Sequence, residues 1–350
     1  MGRRSENSGK GRDFGGLRSE EASGILSRMT SPPADTIPPP PATGDAPATA
    51  PIPVPGTDCA GAPPEDLLVL SGAGALPRLV LEGARAVGVP RLGALGLRGT
   101  TPKATLALAD WRERISISSI SGFRAAIKAS GFRNVILAGQ INPLSFFRAA
   151  FDPELTAILA SLRVHNAHTI YGRLIEEIEA LGAKVLPSSL FLGAHIPAPG
   201  LLTRRDLSDA ERADLEYGSR IAMSVCDLDI GQTVVVKDGV TLAVEGFDGT
   251  NSTILRGGRI ARRGAMVVKV AKHGHDMRFD IPAVGLRTLK VMRRARCTAL
   301  AVQAGRTLFV DLPAVVREAD RRNLAIIAFD SGLPPAPVLP AARPAAAPSA

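Results

Sequence analysis

From Asp66 to about residue 196 the chain alternates two kinds of hydrophobic pattern. Short apolar runs, LLVL (67–70), LGALGL (92–97), NVILAG (134–139) and KVLP (184–187), have the length of buried strands. Between them, ALPRLVLEGARAVGV (75–89), SGFRAAIKASGF (121–132) and TIYGRLIEEIEALGA (169–183) space apolar residues three and four apart, as an amphipathic helix requires. Pro77 suits the first turn of the first helix, where a missing N–H costs nothing. Strands alternating with helices predict a parallel, doubly wound sheet.

Beyond residue 197 the pattern changes. LSDAERADLEYGSRIAMSVCDL (207–228) opens with Ser208 and Glu211, the spacing of a capping box, and continues as a helix. TVVVKDGVTLAVEGF (233–247) is two alternating runs around Asp238-Gly239, a hairpin signal. AMVVKVAK (265–272) reads as a strand, AVGLRTLKVMRRA (283–295) as a helix, TALAV (298–302) and RTLFV (306–310) as short strands. LPAVVREADRRNL (312–324) reads as a helix and AIIAFD (325–330) as the last strand. The fold class expected is therefore α/β. A Rossmann-like parallel-sheet domain spans 66–196 and a mixed α/β domain spans 197–332.

Composition adds the ends. Eighteen of the 28 prolines fall in residues 1–65 and 333–350, which are too poor in core residues to pack and are expected to be disordered. Segment 1–65 has six Lys/Arg against eight Asp/Glu, so the net charge of +9 resides in the body, with 35 Lys/Arg against 25 Asp/Glu. A basic body suits an anionic partner. No Lys/Arg block interleaved with aromatics occurs, so nucleic acid is not expected. No run of about 18 apolar residues predicts a membrane span. Cys59, Cys226 and Cys297 are widely separated and lack metal-site spacing, which fits a reducing cytoplasm.

Three turns could carry chemistry. LSGAGALP (70–77) is a strand–glycine turn–helix unit suited to an anion, although Pro77 stands where a dinucleotide fingerprint needs its third glycine. LAGQINP (137–143) is a second strand end, so either Gly72, Gly74, Gly139 and Gln140 line one crevice or both turns are plain connections. FDGTNST (247–253) is either an anion nest or a helix cap made by Thr250 or Asn251. The densest segment is KVAKHGHDMRFDIPAVG (269–285). A strand delivers Lys269 and Lys272, and Asp276, Arg278 and Asp280 follow at period two, on one face if extended. Carboxylates with adjacent cations suit a Mg²⁺–phosphate site; a solvated, self-neutralising loop is the alternative. No zinc spacing, nucleophile elbow or Walker A sequence occurs.

Together, SGAGALP, LAGQ, LDIGQTVVVKDGVTLAVEGFDGT, KVAK…DMRFDIPAVG and AVQAGRTLFVD resemble the LpxI-type UDP-2,3-diacylglucosamine pyrophosphatases of lipid A biosynthesis. The resemblance runs over most of 67–332. It implies two α/β domains with the active site in the cleft between them. It also implies a hydrolase that uses water and a divalent cation, Mg²⁺ or Mn²⁺, to yield UMP and 2,3-diacylglucosamine 1-phosphate. Asp280 then matches the essential residue, which would bind the metal or orient the water, and Arg278 and Gln232 match the family's Arg and Gln; the local reading of the charged segment adds Asp276 as a second metal ligand. With the turn and strand residues read above, the expected substrate-binding set is Gly72, Gly74, Ala75, Gly139, Gln140, Gln232, Thr250, Asn251, Lys269, Lys272 and Arg278. The implied setting is cytoplasmic, peripheral to the inner-membrane lipid surface, with a homodimer allowed. The chain departs from the family at Asp248 and Asn251, where Glu and Asp are usual. Further departures are Asn142, the Ala167-His168 pair and His275. These departures motivate two alternatives: a non-catalytic nucleotide-sugar or lipid-binding protein, and a hydrolase of another nucleotide-linked substrate.

Overall fold

The computed structural model describes residues 62–140, 152–161, 167–274, 276–278 and 281–339. The expected disorder of 1–65 falls almost wholly outside these residues, as do Asn142, His275 and Asp280.

The first sheet has the order β3-β2-β1-β4-β5 and is wholly parallel. It is built from β1 (Asp66–Ser71), β2 (Arg91–Leu97), β3 (Trp111–Ile115), β4 (Asn134–Ala138) and β5 (Lys184–Val185). The connecting helices are α1 (Leu76–Ala86), α2 (Lys103–Leu106), α3 (Ile120–Ser130), α4 (Pro153–Ser161) and α5 (Ala167–Ala180). Leu67, Leu68 and Val69 of β1 are fully buried because helices cover both faces of the sheet. Chain order reverses between β1 and β4, and in such sheets ligands sit beyond the strand ends at that point.

The alternation expected here is present, with three additions, the first being the one-turn helix α2. β3, WRERI, carries no apolar run, because an edge strand exposes part of both faces. α4 begins at Pro153, has Glu154 in its first turn and is the third addition.

The second half begins with the edge strand β6 (Gly200–Leu201) and α6 (Asp209–Asp227). The capping box forms: Glu211 N donates to Ser208 Oγ at 3.3 Å, and Ser208 N donates to Glu211 Oε2 at 2.9 Å. β7 (Thr233–Lys237) and β8 (Val240–Val244) make the expected hairpin, with Asp238 and Gly239 at φ 51° and 72°. α7 (Gly249–Ala261), β9 (Met266–Lys269), β10 (Ala283–Val284), α8 (Leu286–Arg294), β11 (Ala299–Gln303), β12 (Leu308–Phe309), α9 (Leu312–Arg321) and β13 (Ala325–Phe329) complete it. The six-stranded sheet runs β6-β13-β11-β9-β7-β8. β13, β11 and β9 are parallel and the outer strands antiparallel. β10 and β12 form a separate parallel pair. Ala283 and Val284 thus belong to a strand rather than to the helix expected from residue 283, and the helix starts after Gly285.

The two halves are joined around Ser188. Its hydroxyl lies 2.7 Å from Leu137 O at the end of β4 and 2.6 Å from Arg278 O in the loop after β9. Met277, Ile281 and Leu308 of the second half pack in the same apolar cluster as Leu67 and Leu79 of the first. Residues 333–339, placed in the tail from sequence, lie against the body. Ala336 and Leu339 are buried, and their N–H groups donate to Gly305 O and Leu190 O.

Candidate functional site

The turns after β1 and β4 meet. Gly72 N donates to Ala138 O at 2.8 Å, and Ala73 and Gln140 exchange backbone bonds at 2.8 and 3.0 Å. A Cβ on Gly72 would stand 2.6 Å from Gln140 O, and one on Gly139 would stand 2.6 Å from Ala73 O. Each backbone thus occupies the space a side chain on the other would need. Gly72, Gly139 and Gln140 come together as expected. Gly74 at φ 90° opens on space, and Ala75 begins α1 without a side-chain cap. The open helix N-terminus favours an anion.

A second group lies at the carboxyl end of β9. Lys269 is 5% exposed, and its Nζ donates to Thr233 Oγ1 at 3.3 Å and Thr250 Oγ1 at 3.1 Å. Among the described residues, no carboxylate is within ion-pair distance of it. Thr250 in turn donates to Glu245 Oε1 at 2.8 Å, while Glu245 Oε2 is buried without a partner among the described residues. Neither Thr250 nor Asn251 caps α7, since the cap position is Asp248 and makes no side-chain cap bond. Instead the Asp248 carboxylate pairs with Arg256 at 3.1 Å. Asn251 lies in the first helical turn, half-buried. Gln232 adjoins this group through its backbone carbonyl, which accepts from Val270 N at 2.9 Å.

The third group is the loop after β9. Lys272 pairs with Asp229 at 2.6 Å, and His273 Nδ1 lies 2.7 Å from Asp227 Oδ2. Asp276 and Arg278 do not lie on an extended strand. Residues 277–278 form a turn, closed because Asp276 Oδ1 accepts from Arg278 N at 3.0 Å. The Arg278 side chain returns to the same carboxylate, Nε at 3.0 Å and Nη2 at 2.7 Å. That pairing holds the guanidinium above its usual pKa, against the opposing effect of burial. Arg278 also reaches Glu179 of α5 at 3.4 Å.

The divalent cation was assigned to Asp280 and Asp276. Asp276 is engaged by Arg278, and no cluster of three or more His, Cys, Asp or Glu suited to a metal occurs among the described residues. The described side chains therefore do not by themselves make a cation cage. Sequence reasoning missed Glu245, Thr233 and Ser188. Only an apolar-to-polar break at the end of each run marks them, and that signal is common to loops.

Residues 66–195 match the family model described as the LpxI N-terminal domain, and residues 198–327 that described as the LpxI C-terminal domain. The chain is also similar to UDP-2,3-diacylglucosamine pyrophosphatase LpxI of Caulobacter vibrioides. The two are 28% identical over 227 residues, covering 62% of this chain and 81% of that protein. With both halves matched in order across most of the folded body, the chain belongs to the LpxI family.

Proposed function

We propose that this protein hydrolyses the pyrophosphate bond of UDP-2,3-diacylglucosamine to UMP and 2,3-diacylglucosamine 1-phosphate. Membership of the family and the similarity to a relative of that name support the reading. In the structure, the observation that carries it is Lys269. Among the described residues it is a buried ammonium hydrogen-bonded only to two hydroxyls, with one N–H left to give and no carboxylate within ion-pair distance. Such a charge suits phosphoryl oxygens, whose negative charge grows in the transition state. Thr250 holds the ammonium and is itself oriented by Glu245. In the reaction, water adds to the sugar-side phosphorus. The bond from that phosphorus to the bridging oxygen breaks, UMP leaves with that oxygen, and the proton of water passes to a base. Asp280 is our candidate for positioning that water. A divalent cation held beside Asp280 would add charge neutralisation.

We also propose that the protein works at a lipid surface on the cytoplasmic side of the inner membrane. Leu228 and Ile230, in the loop between α6 and β7, are 72% and 50% exposed, and Phe247, after β8, is fully exposed. The two loops touch, since a Cβ on Gly231 would collide with Glu245 O. No helix among the described residues is long and apolar enough to cross a membrane. Large exposed apolar side chains on a basic body suit an acylated substrate in an anionic bilayer.

The test is UMP release by the full-length protein from UDP-2,3-diacylglucosamine in mixed micelles, with and without Mg²⁺ or Mn²⁺. Release abolished by Asp280→Ala supports hydrolysis. No release by the parent, with the substrate still bound, favours the binding-protein alternative that Asn251 motivates. Release from soluble UDP-sugars alone would favour another nucleotide-linked substrate. Flotation with liposomes that ignores both anionic lipid and salt would overturn the membrane proposal.

A further inference from the structure

Outside the groups described above, two consecutive side chains stand out at the end of β11. Arg306 is 7% exposed and Thr307 fully buried. Arg306 Nη1 donates to Pro334 O at 2.7 Å and Nη2 to Lys272 O at 3.3 Å. Among the described residues its Nε has no partner, and neither does Thr307 Oγ1. Among the described residues no carboxylate pairs with the guanidinium, and burial pushes its pKa below the ordinary value. A buried charge answered only by neutral carbonyls is costly, and buried donors without partners are rare in folded proteins. Two such donors on adjacent residues, one on a cation, call for the same thing: an anionic oxygen.

Their position fits a ligand. β9 and β11 are parallel neighbours, with Ala299 beside Met266 and Val302 beside Lys269. Arg306 and Thr307 therefore leave the sheet at the same carboxyl edge as Lys269 and Lys272, where ligands of parallel sheets lie. Leu308 N donates to Pro282 O at 2.8 Å, so the turn is also stitched to the segment that follows Asp280. Gln303, fully buried, holds this edge by accepting from Ala271 N at 2.9 Å and donating to Ser331 Oγ at 2.6 Å.

We propose that Arg306 and Thr307 form a subsite for a phosphoryl oxygen, in which Nε and the hydroxyl donate to the same phosphate group. This deepens the pyrophosphate-hydrolase reading and rests on it for the identity of the ligand. Charge-assisted donation from Arg with a neighbouring hydroxyl is a strong combination for phosphate. Lys269 and Arg306 would then answer different oxygens of one pyrophosphate from adjacent strand ends.

Thr307→Val gives the cleanest test, because it removes a hydroxyl that has no partner among the described residues. A purely structural view predicts an unchanged or higher Tm and unchanged ligand affinity. Calorimetric titration of the full-length chain with inorganic pyrophosphate reads the affinity. The subsite predicts an unchanged or higher Tm with Kd raised about tenfold, and a similar loss in Arg306→Lys, whose ammonium lacks the Nε donor. If Thr307→Val lowers Tm, Thr307→Ser decides: affinity kept by Ser and lost by Val supports the subsite. Equal affinity in the parent, Thr307→Val and Arg306→Lys overturns it, as does a parent that does not bind pyrophosphate. Hydrolysis of UDP-2,3-diacylglucosamine with an unaltered KM in both variants would sink the subsite and leave the enzyme reading standing. Pyrophosphate binding that depends on Arg306 and Thr307, in a protein that releases no UMP, would do the reverse.

Discussion

Lys269 Nζ donates to Thr250 Oγ1 at 3.1 Å across 19 residues of chain, and Thr250 passes the bond on to Glu245 at 2.8 Å. A carboxylate thus reaches a buried ammonium only through a hydroxyl. The arrangement leaves the cation less neutralised than a direct ion pair would, which is useful only if an anion arrives. Lys269→Met should therefore lower kcat/KM by about 10²–10³-fold, the usual cost of one preorganised donor. Its Tm should hold or rise, since a buried charge is replaced by apolar volume. Thr250→Val should lose activity and Thr250→Ser retain most of it, as measured by UMP release.

The paired glycines of the first sheet predict a stability series. Gly72→Ala meets Gln140 O at 2.6 Å and should cost ~1–3 kcal/mol by overpacking. Gly139→Ala adds a φ of 90° to a comparable clash and should cost more. Gly74→Ala has the same φ but open space, so only the backbone term of about 1–2 kcal/mol remains. Urea denaturation gives the order; an equal cost at all three positions would contradict the close approach.

The Asp276 carboxylate is taken up by the Arg278 guanidinium. Asp276→Asn should leave the Mg²⁺ concentration for half-maximal activity within about twofold of the parent. A ligating carboxylate lost to Asn would shift it by roughly 10–100-fold, the scale of disturbed metal shells. If activity proves independent of Mg²⁺, the same variant should instead show a raised KM, through the released Arg278.

Cys297 is buried and its thiol is pushed up to about 12 by desolvation. Its folded pKa lies above the unfolded value of 9.0, so the unfolded chain gives up this proton first as pH rises. The stability tied to Cys297 is complete below pH 9 and is lost between about 9 and 12. Parent and Cys297→Ala should therefore converge in denaturation free energy as pH climbs through that window. A constant difference would show that burial does not hold the thiol neutral.

Asn251 occupies the first turn of α7, where a carboxylate gains from the helix dipole. Asn251→Asp should raise stability by about 0.3–1 kcal/mol. We expect UMP release to rise with it, by a few-fold, because the family usually carries Asp here. Higher stability with unchanged turnover would mean that the departure is catalytically silent.

Local pattern was enough to read much of the architecture. The alternating runs marked β1, β2 and β4, the Ser208–Glu211 pair marked α6, and Asp238-Gly239 marked the hairpin. Each is a preference of a few adjacent residues. WRERI escaped because an edge strand need not be apolar. The site was legible as a set of segments, through the resemblance of their motifs, but not as a set of partners. Thr233 and Lys269 are 36 residues apart, and Arg306 is 34 residues from Lys272, so neither pairing leaves a trace in local spacing.

What the sequence determined by itself was therefore the fold class, the order of elements and the segments that matter, because burial periodicity and turn chemistry act over short stretches. What only the tertiary structure decided was the electrostatic state of each charged group. Lys272 is neutralised by Asp229 and Arg278 by Asp276, while Lys269 and Arg306 are buried with no carboxylate within ion-pair distance among the described residues. The same residue type becomes a surface pair or a poised cation according to which distant strand end folds beside it, and Coulomb energy depends on that distance and on the water excluded, not on position along the chain.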